Sequence, residues 1–330
     1  SLTRLHTCPI ESPQFEDDLR WFKGVCAVVN GLKGARIAML GARPIAFNTV
    51  RYSEKLLQKH GISVQTIDFS EIIFKAMHYN DAEKVAAKIK EIREYGSVPA
   101  WISDEVMEKQ AKLCLVIDEA IEDLQCDAST VQCWDSVENN YGCATCLAMS
   151  MMGDNGKPSA CESDVTGALS MLAAWLAAGT APALMDWNNN IREERNACVS
   201  LHCSNFPKSF FQNDVEIECL DVLGSTLGKE NCFGACKGHV AAGDMTFIRL
   251  TTDDQRGTVK AYLGEGVFRD EVIPTKGGVA NCYIENLQNL LRYVCENGYE
   301  HHVCFVRGHV ADILEEALTK YMGIPVYRHR

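Results

Sequence analysis

Two carboxylates, Glu162 and Asp186, flank one apolar stretch of the sequence and could do chemistry together. Within residues 165–178, apolar side chains recur with a spacing of three or four, which predicts a helix that ends at Gly179. Residues 182–185 predict a short buried strand that runs into Asp186. A carboxylate before a helix and another at the carboxyl end of the next strand can approach one point, because open α/β sheets bind ligands at that edge. The pair therefore suits a hard divalent cation, acid–base catalysis, or both.

The segment before Glu162 alternates predicted strands and helices, and this order predicts a parallel sheet. Strands are predicted at 35–40, 62–67 and 129–134, and helices at 53–60, at 81–95 and after the N-cap Ser103. The turn after the first strand is Gly41-Ala42-Arg43-Pro44, which lacks the GxGxxG pattern of nicotinamide-binding domains. The sequence therefore argues against a dinucleotide cofactor.

The segment after Asp186 changes to short strand-like runs separated by turn residues, which predicts an antiparallel sheet or small barrel. The predicted strands are 199–202, 215–220, 246–251, 257–263 and 303–306, with a final edge strand at 324–327. Glycines and cysteines interrupt any regular pattern between residues 229 and 243, so this segment is predicted as a loop. Helices are predicted at 283–297 and 311–322.

The composition is typical of a folded enzyme and argues against two classes of partner. The 330 residues can bury a sizeable core and suffice for two domains. A formal charge of −12 argues against a nucleic-acid surface, because phosphate binding needs clustered Lys and Arg. No apolar run reaches membrane-spanning length and no signal segment is evident, so we expect a cytoplasmic protein that binds no membrane.

The sixteen cysteines are predicted to be reduced, structural thiols. Many lie inside apolar runs, where a free thiol behaves as a small hydrophobic side chain. Disulfide frameworks belong mostly to small secreted domains with little core. Cys143 and Cys146 form a CxxC pair without a second matching pair, which is a poor signal for a zinc or iron–sulfur site. No role is assigned to this pair.

Further motifs extend the pattern around the two carboxylates. They are Val131-Gln132-Cys133-Trp134, Ala160-Cys161-Glu162-Ser163-Asp164-Val165, Met185-Asp186-Trp187-Asn188-Asn189, Leu201-His202-Cys203, and His301-His302-Val303-Cys304-Phe305 followed by Gly308-His309. In this order, over roughly residues 130–330, the sequence resembles the L-fucose isomerase and L-arabinose isomerase family of metal-dependent aldose–ketose isomerases. Each motif alone is weak, whereas a Glu and an Asp at this separation followed by a distant His is specific.

The resemblance implies an α/β protein in which a parallel α/β sandwich domain precedes a C-terminal domain with an antiparallel β-barrel-like sheet. We predict the first, Rossmann-like domain at residues 1–178, carrying Glu162, and the second at residues 179–330, carrying Asp186 and His302. Family members carry a further N-terminal α/β domain, and a neighbouring subunit closes their sugar site. The resemblance therefore predicts a homo-oligomer with the site near a subunit interface, and weak or absent turnover from these 330 residues alone.

The resemblance also implies roles for particular residues. Glu162, Asp186 and His302 match the metal ligands of the family. His202 is a candidate fourth ligand, because the arabinose-isomerase branch has a metal-binding His near that position. The predicted substrate-binding residues are His301, Trp187 and Asn188.

The chemistry of such isomerases accounts for this set of residues. Aldose–ketose isomerisation moves a proton from C2 to C1, and the transition state carries enediolate charge on the two adjacent oxygens O1 and O2. A divalent cation bound to both oxygens stabilises that charge. Carboxylates with an imidazole suit Mn²⁺, with Mg²⁺ or Co²⁺ as substitutes. In the fucose-isomerase branch the ligands also act as base and acid, so Glu162 and Asp186 are predicted to be catalytic. A hydride shift is the rival mechanism, because a metal-bound carboxylate is a weaker base.

Three kinds of function share these features. The first is a sugar isomerase acting on an aldose of the L-fucose, D-arabinose or L-arabinose type through a metal-bound enediol. The second is an epimerase or metal-dependent aldolase that uses the same metal site. The third is a catalytically silent sugar-binding relative, against which the intact set of Glu162, Asp186 and His302 argues, because a binding module has no need of a hard-metal cage.

Overall fold

The structure, a computed structural model, describes residues 8–330, so residues 1–7 of the first predicted domain lie outside the described residues. The helices are α1 (Pro13–Leu32), α2 (Glu54–Gln58), α3 (Phe69–Met77), α4 (Ala82–Tyr95), α5 (Asp104–Asp123), α6 (Ser136–Asn140), α7 (Cys146–Asp154), α8 (Val165–Ala178), α9 (Asp221–Leu227), α10 (Leu287–Glu296) and α11 (Ala311–Glu316). The strands are β1 (Arg36–Leu40), β2 (Ser63–Ile67), β3 (Ala128–Val131), β4 (Ser159–Cys161), β5 (Ala183–Ile191), β6 (Glu194–His202), β7 (Glu216–Cys219), β8 (Phe233–His239), β9 (Gly243–Asp253), β10 (Thr258–Arg269), β11 (Gly278–Tyr283), β12 (His302–Arg307) and β13 (Val326–Arg328).

The first sheet is parallel, as predicted. Its four strands lie in the order β2-β1-β3-β4. Neighbouring strands run in the same direction and end together, with Leu40 beside Ile67 and Val131 beside Cys161. The carboxyl ends therefore form one edge of the sheet, and Glu162 is the first residue after β4 at this edge.

Helix α8 lies between the two sheets of the protein. Asp164 caps its first turn by accepting a hydrogen bond from the Gly167 amide. Gly179 ends the helix with a φ of 69°, a left-handed conformation that glycine adopts at little cost. The helix contacts β3 and β4 on one side and β9 and β12 on the other. Because both sides are covered, the helix is apolar nearly all round, and its predicted extent is confirmed.

The second sheet contains a closed six-stranded antiparallel barrel, which confirms the predicted barrel-like sheet. Around the ring the strands follow the order β10-β9-β12-β5-β6-β11, and β11 pairs back with β10. Outside the ring, β8 and then β7 extend the sheet from β11, and β13 pairs with β10. Closure pairs each ring strand on both sides, so register is fixed around the whole ring.

The strand that carries Asp186 is longer than predicted and belongs to the barrel. β5 spans nine residues, and Asp186 lies in its interior. The expectation that Asp186 ends a strand of an open α/β sheet is therefore wrong. Residues 188–190 are three asparagines, which resemble turn residues in sequence. In the structure they form the exposed part of the β5–β6 hairpin, where the register shifts after Trp187.

The segment 229–243, predicted as a loop, is mostly regular structure. A 3-10 turn covers Lys229–Cys232, and β8 follows it. Gly234 in β8 permits a close approach of neighbouring groups, because a Cβ there would lie 2.6 Å from the Gln110 Oε1 atom. Gly234, one of the glycines that suggested a loop, is therefore a close-packing position of a strand.

The helix predicted at 283–297 begins only at Leu287, because residues 278–283 form β11, which sequence reasoning missed. The division into domains at residue 178 stays a prediction. α8 ends at Ala178 and the next strand belongs to the barrel, but α8 packs against both sheets.

All sixteen cysteines are free thiols and most are buried, as predicted for structural cysteines. Within residues 8–330, no helix combines the length and the apolar character needed to cross a bilayer.

Candidate metal centre

Glu162 reaches the site from the carboxyl edge of the parallel sheet. Glu162 and Ser163 both adopt left-handed backbone conformations, with φ of 63° and 57°. At the end of the neighbouring strand β3, Trp134 and Asp135 do the same, with φ of 65° and 59°. Such residues cost roughly 1–3 kcal/mol each and cluster at functional sites. The two strained turns bring the Trp134 indole N–H to donate a hydrogen bond to Glu162 Oε1, over 2.9 Å.

Asp186 and His302 form a cross-strand pair in the barrel. β5 and β12 are antiparallel, and their register sets these two residues directly opposite each other. Opposite residues of an antiparallel pair point to the same face of the sheet. The Asp186 Oδ1 atom consequently lies 3.5 Å from His302 Nε2.

The Glu162 and Asp186 carboxylates each approach His302, the third predicted ligand. The Glu162 Oε2 atom lies 3.2 Å from His302 Nε2. Among the described residues, Glu162 Oε2, Asp186 Oδ1 and His302 Nε2 are all buried and all lack a hydrogen-bond partner. Buried polar atoms are normally satisfied, so three unsatisfied atoms facing one another indicate a shared ligand. Adjacent ligand atoms of an octahedral ion with bonds of about 2.1 Å lie about 3 Å apart, so the spacing fits a small divalent cation.

The surroundings of Glu162 and His302 favour the charged form of both side chains. Burial alone would raise the pKa of Glu162, but the His302 and His202 imidazoles and the Trp134 N–H hold it below its ordinary value. Burial disfavours a charged His302, yet Asp164 and Glu162 outweigh this effect and raise the pKa of His302 to about 10. The carboxylates therefore favour a positive charge at the position of the Nε2 atom, which a proton or a bound cation supplies.

Asp164 is a residue that sequence reasoning missed. Its Oδ2 atom lies 2.8 Å from His302 Nδ1, on the side of the imidazole away from Glu162. Arg249 donates to both Asp164 oxygens, over 2.6 and 2.9 Å. A signal was present, because Arg249 is a lone charge in the apolar strand Phe247-Ile248-Arg249-Leu250. A buried charge of this kind requires an opposite charge.

His202 and His301 lie beside the three ligands but farther away. The His202 Nε2 atom is 3.8 Å from Glu162 Oε1 and its side chain is buried. His301 Nε2 lies 3.7 Å from Asp186 Oδ1, on a side chain that is about one third exposed. His202 can form a ligand group with Asp186 and His302. The exposed position of His301 suits its predicted contact with substrate.

The other two predicted substrate-binding residues lie differently. The Trp187 ring packs against Phe247 and Phe305 and donates a hydrogen bond to the Tyr262 hydroxyl. Because successive residues of a strand point to opposite faces, this ring points away from the face that carries Asp186. Asn188 is exposed, and its side chain accepts a hydrogen bond from the next backbone amide. Neither side chain is brought to the three ligands, and both assignments stay predictions.

The loop after β1 forms one wall of the site. Thr49 Oγ1 lies 2.7 Å from His301 Nδ1, and the Phe47 ring packs against both His301 and Trp134. The loop therefore contacts one residue on each side of the ligand cluster, one from the barrel and one from the parallel sheet.

Two arginines meet on the same loop. Asn48, between Phe47 and Thr49, has its Oδ1 atom 3.3 Å from Arg43 Nη1 and 3.1 Å from Arg51 Nη2. Neither guanidinium forms an ion pair within the part of the chain that the structure describes. The wall of the site therefore carries two positive charges in a protein whose formal charge is −12.

Thiols offer a second set of donor atoms next to Glu162. Cys133 Sγ and Cys161 Sγ lie 2.9 Å apart, and both can approach a common point with the Glu162 carboxylate. Thiolates prefer softer ions, whereas carboxylates and imidazole suit Mn²⁺ and Mg²⁺. The unsatisfied atoms are oxygens and a nitrogen, which favours the harder ion.

Comparison with known proteins finds similarity to sugar isomerases. Residues 200–330 match the family described as L-fucose isomerase, C-terminal domain. A relative in Priestia aryabhattai named sulfoquinovose isomerase is 27% identical over 297 residues, covering 88% of this chain and 64% of the relative. Proteins of the same name in Alkalicoccus urumqiensis and in Clostridium sp. (strain MSTE9) are 24% and 27% identical, covering 92% and 87% of this chain and 66% and 63% of the relatives.

The chain thus spans slightly less than two thirds of the length of these relatives. The family match covers His202 and His302 but begins after Glu162 and Asp186. The barrel and the Glu–Asp–His cluster agree with the match of residues 200–330 to the C-terminal domain of L-fucose isomerase.

Proposed function

We propose that this protein interconverts an aldose and its ketose, using one divalent cation held by Glu162, Asp186 and His302 and completed by His202 or water. The observation that carries the proposal is the convergence of three buried, unpartnered donor atoms, with the two carboxylate oxygens 3.2 and 3.5 Å from the imidazole nitrogen. The names of the relatives, which are sugar isomerases, support the same reaction class. The donor set suits Mn²⁺, with Mg²⁺ or Co²⁺ as substitutes.

When bound, the cation supplies Lewis acidity toward the two adjacent oxygens of the sugar. Glu162 approaches from the parallel sheet and Asp186 from the barrel, so a sugar lying between them has a carboxylate on each side. One carboxylate takes the proton from C2, the C–H electron pair forms a C1–C2 double bond, and the carbonyl π pair moves onto O1. A proton is then delivered to C1, where the C1–C2 double-bond pair accepts it, the O2–H electron pair forms the C2 carbonyl, and the O2 proton passes to O1, which gives the ketose.

Trp134 gives the two oxygens of the Glu162 carboxylate different surroundings. Its indole N–H occupies Oε1 and leaves Oε2 facing His302 and Asp186. The hydrogen bond also fixes the rotation of the carboxylate. Positioning of this kind matters because a misplaced catalytic group costs orders of magnitude in rate.

We also propose that the substrate carries an anionic group at the end away from the reacting carbons. Arg43 and Arg51 share one neutral acceptor, Asn48, and have no carboxylate partner among the described residues. Asn48 is next to Thr49, which contacts His301 at the ligand cluster. Guanidinium groups bind sulfonate, phosphate and carboxylate through paired hydrogen bonds. The relatives are named for sulfoquinovose, a sugar that bears a sulfonate.

A panel of aldoses tests both the reaction and the substrate class. The protein is incubated with Mn²⁺ in D₂O, and products are identified by NMR. We expect a ketose with solvent deuterium at C1, and faster turnover of sugars with an anionic terminal group than of their neutral counterparts. Retention of all substrate hydrogen at C1 would favour a hydride shift, and epimers or cleavage products would replace the isomerase by an epimerase or aldolase.

Neutralising the two arginines separates binding of the anion from catalysis. We expect Arg43→Gln and Arg51→Gln each to lower kcat/KM for the anionic sugar by about 10-fold or more, since a charge-assisted hydrogen bond contributes about 1.5–3 kcal/mol. Turnover of a neutral sugar should change little. Equal losses for both sugars would contradict the proposed anion subsite.

We further propose that a second copy of the chain covers the carboxyl edge of the parallel sheet, next to the site. Ile45 on the loop after β1 is 91% exposed, and Phe74 and Met77 on α3 are 63% and 55% exposed. Large apolar side chains grouped on a surface mark interaction sites. A homo-oligomer in sedimentation would support this arrangement, and a monomer with ordinary turnover would contradict it.

A further inference from the structure

Four charged or titratable groups form one completely buried chain behind the metal centre. In order they are His302, Asp164, Arg249 and Glu300, with exposed fractions of 0–3%. Asp164 contacts His302 Nδ1 over 2.8 Å and Arg249 over 2.6 Å. Arg249 Nε in turn lies 3.1 Å from Glu300 Oε2. We call these residues the buried charge chain.

The buried charge chain connects three elements. Asp164 caps α8, Arg249 lies in the middle of β9, and Glu300 lies two residues before His302 at the start of β12. Thr166 accepts a further hydrogen bond from Arg249 Nη2 over 2.8 Å. Each charged group therefore has a partner on a different element, and none can rotate without breaking a contact.

Stability alone does not account for such an arrangement. Removing charges from water is so costly that a buried ion pair is often no more stabilising than apolar residues of the same volume. The same face of the sheet carries fully buried aromatic side chains and could have continued the core, since Phe247 lies two residues before Arg249 and Tyr262 pairs directly with Arg249. The buried charge chain ends at His302, and this position indicates a role at the metal centre.

We propose that Asp164 is a positioning residue that fixes His302 as a metal ligand through its Nε2 atom. An ionised carboxylate only accepts hydrogen bonds, so the His302 Nδ1 atom beside it must carry the proton. A cation that displaces the Nε2 proton then meets the Nε2 lone pair on the side that faces Glu162 and Asp186. Metal-binding histidines are commonly oriented in this way by a carboxylate on the second nitrogen. The inference rests on the proposed function, because it assumes that a cation binds there.

Arg249 and Glu300 hold Asp164 in turn. Arg249 engages both Asp164 oxygens and prevents the carboxylate from turning away from His302. An amide at position 164 could not replace the carboxylate, because its NH₂ group would face either the Arg249 guanidinium or the His302 nitrogen. If that NH₂ donated to Nδ1, the proton would move to Nε2 and the ligand atom would be lost.

Mn²⁺ binding, measured by calorimetry on the full 330-residue chain, tests the proposal without any substrate. We expect Asp164→Asn to weaken Mn²⁺ binding about 10- to 100-fold, the usual cost of losing such a partner. Arg249→Lys keeps the charge and the Asp164–His302 contact but loses the bidentate hydrogen bonds to Asp164. We therefore expect a smaller loss of Mn²⁺ affinity. Asp253→Asn is the matched control, because Asp253 also lies on β9 and pairs with Lys260 over 2.9 Å but has no contact with the buried charge chain.

The outcomes separate the inference from the function on which it rests. Suppose that the wild type binds Mn²⁺ and that a folded Asp164→Asn variant binds it with the same affinity. This result would overturn the positioning role and leave the proposed function standing. A wild type that binds no Mn²⁺ would overturn the proposed function itself. If Asp164→Asn does not fold, Arg249→Lys decides, and an affinity equal to that of wild type would overturn the proposal. A purely structural chain would lower the melting temperature of the metal-free protein without changing the affinity.

Discussion

Replacing Glu162 with glutamine, or Asp186 with asparagine, should lower kcat/KM for the preferred aldose by at least about 100-fold. Acid–base groups typically contribute about 10²- to 10⁴-fold. Each substitution keeps the volume of the side chain but removes the negative charge that we propose to hold the cation and to accept the C2 proton. Glu162 is 2% exposed, so solvent cannot replace its carboxylate in either role.

The measurement is steady-state kinetics at saturating Mn²⁺, with Glu83→Gln as a control. Glu83 is an exposed residue of α4, and its substitution should leave kcat/KM within about twofold, since surface changes of this kind have small effects. Retention of more than a tenth of the wild-type rate by both site variants would contradict the assigned roles of Glu162 and Asp186.

Withdrawal of divalent cations should abolish turnover, and their return should raise the melting temperature. Three buried donor atoms lack partners, so a cation that satisfies them binds only the folded protein. A ligand at about 100 times its dissociation constant stabilises the folded state by about 2.7 kcal/mol. For a protein of this size that corresponds to an increase of several degrees, on the order of 5 °C.

His302→Ala should remove most of this gain, because the imidazole supplies one of the three donors and joins the carboxylates into one site. Scanning calorimetry of chelator-treated protein with and without Mn²⁺ measures the effect. The control is again Asp253→Asn, which should keep the full Mn²⁺-dependent increase. Full turnover after chelation, or an equal increase in His302→Ala, would contradict a metal centre at these residues.

Local sequence signals predicted those parts of the fold whose side chains meet neighbours close in sequence. The spacing in residues 165–178 and the stop at Gly179 predicted α8 to the residue. The wrong predictions fall where packing against residues distant in sequence determines the secondary structure. Gly234 and Cys236 suggested a loop, but a neighbouring strand and the close approach of Gln110 make them part of β8. The asparagines at residues 188–190 are residues typical of turns, but barrel pairing extends β5 through them.

Family motifs indicated the candidate residues of the site, but their spacing along the chain could not show how they meet. Asp186 and His302 are distant in sequence, and only the register of β5 against β12 makes them neighbours. The expectation that Glu162 and Asp186 share one edge of an open sheet is wrong, because the two carboxylates come from different sheets. Asp164 stands within the motif that carries Glu162, yet its role depends on Arg249 and His302, which sequence does not connect to it.

Two of the three donors are locked together by strand register, whereas the third is attached independently. Slipping β5 by one residue against β12 would turn Asp186 to the opposite face and set Met185 or Trp187 across from His302. In a closed ring such a slip would also disturb the neighbouring pairings, so the Asp–His pair resists gradual change. Glu162 lies directly after the end of β4 and can shift together with the parallel sheet. For protein engineering, Asp186 and His302 form a fixed pair that could be transferred to another barrel. The position of Glu162 would then determine the size of the cavity for the ion.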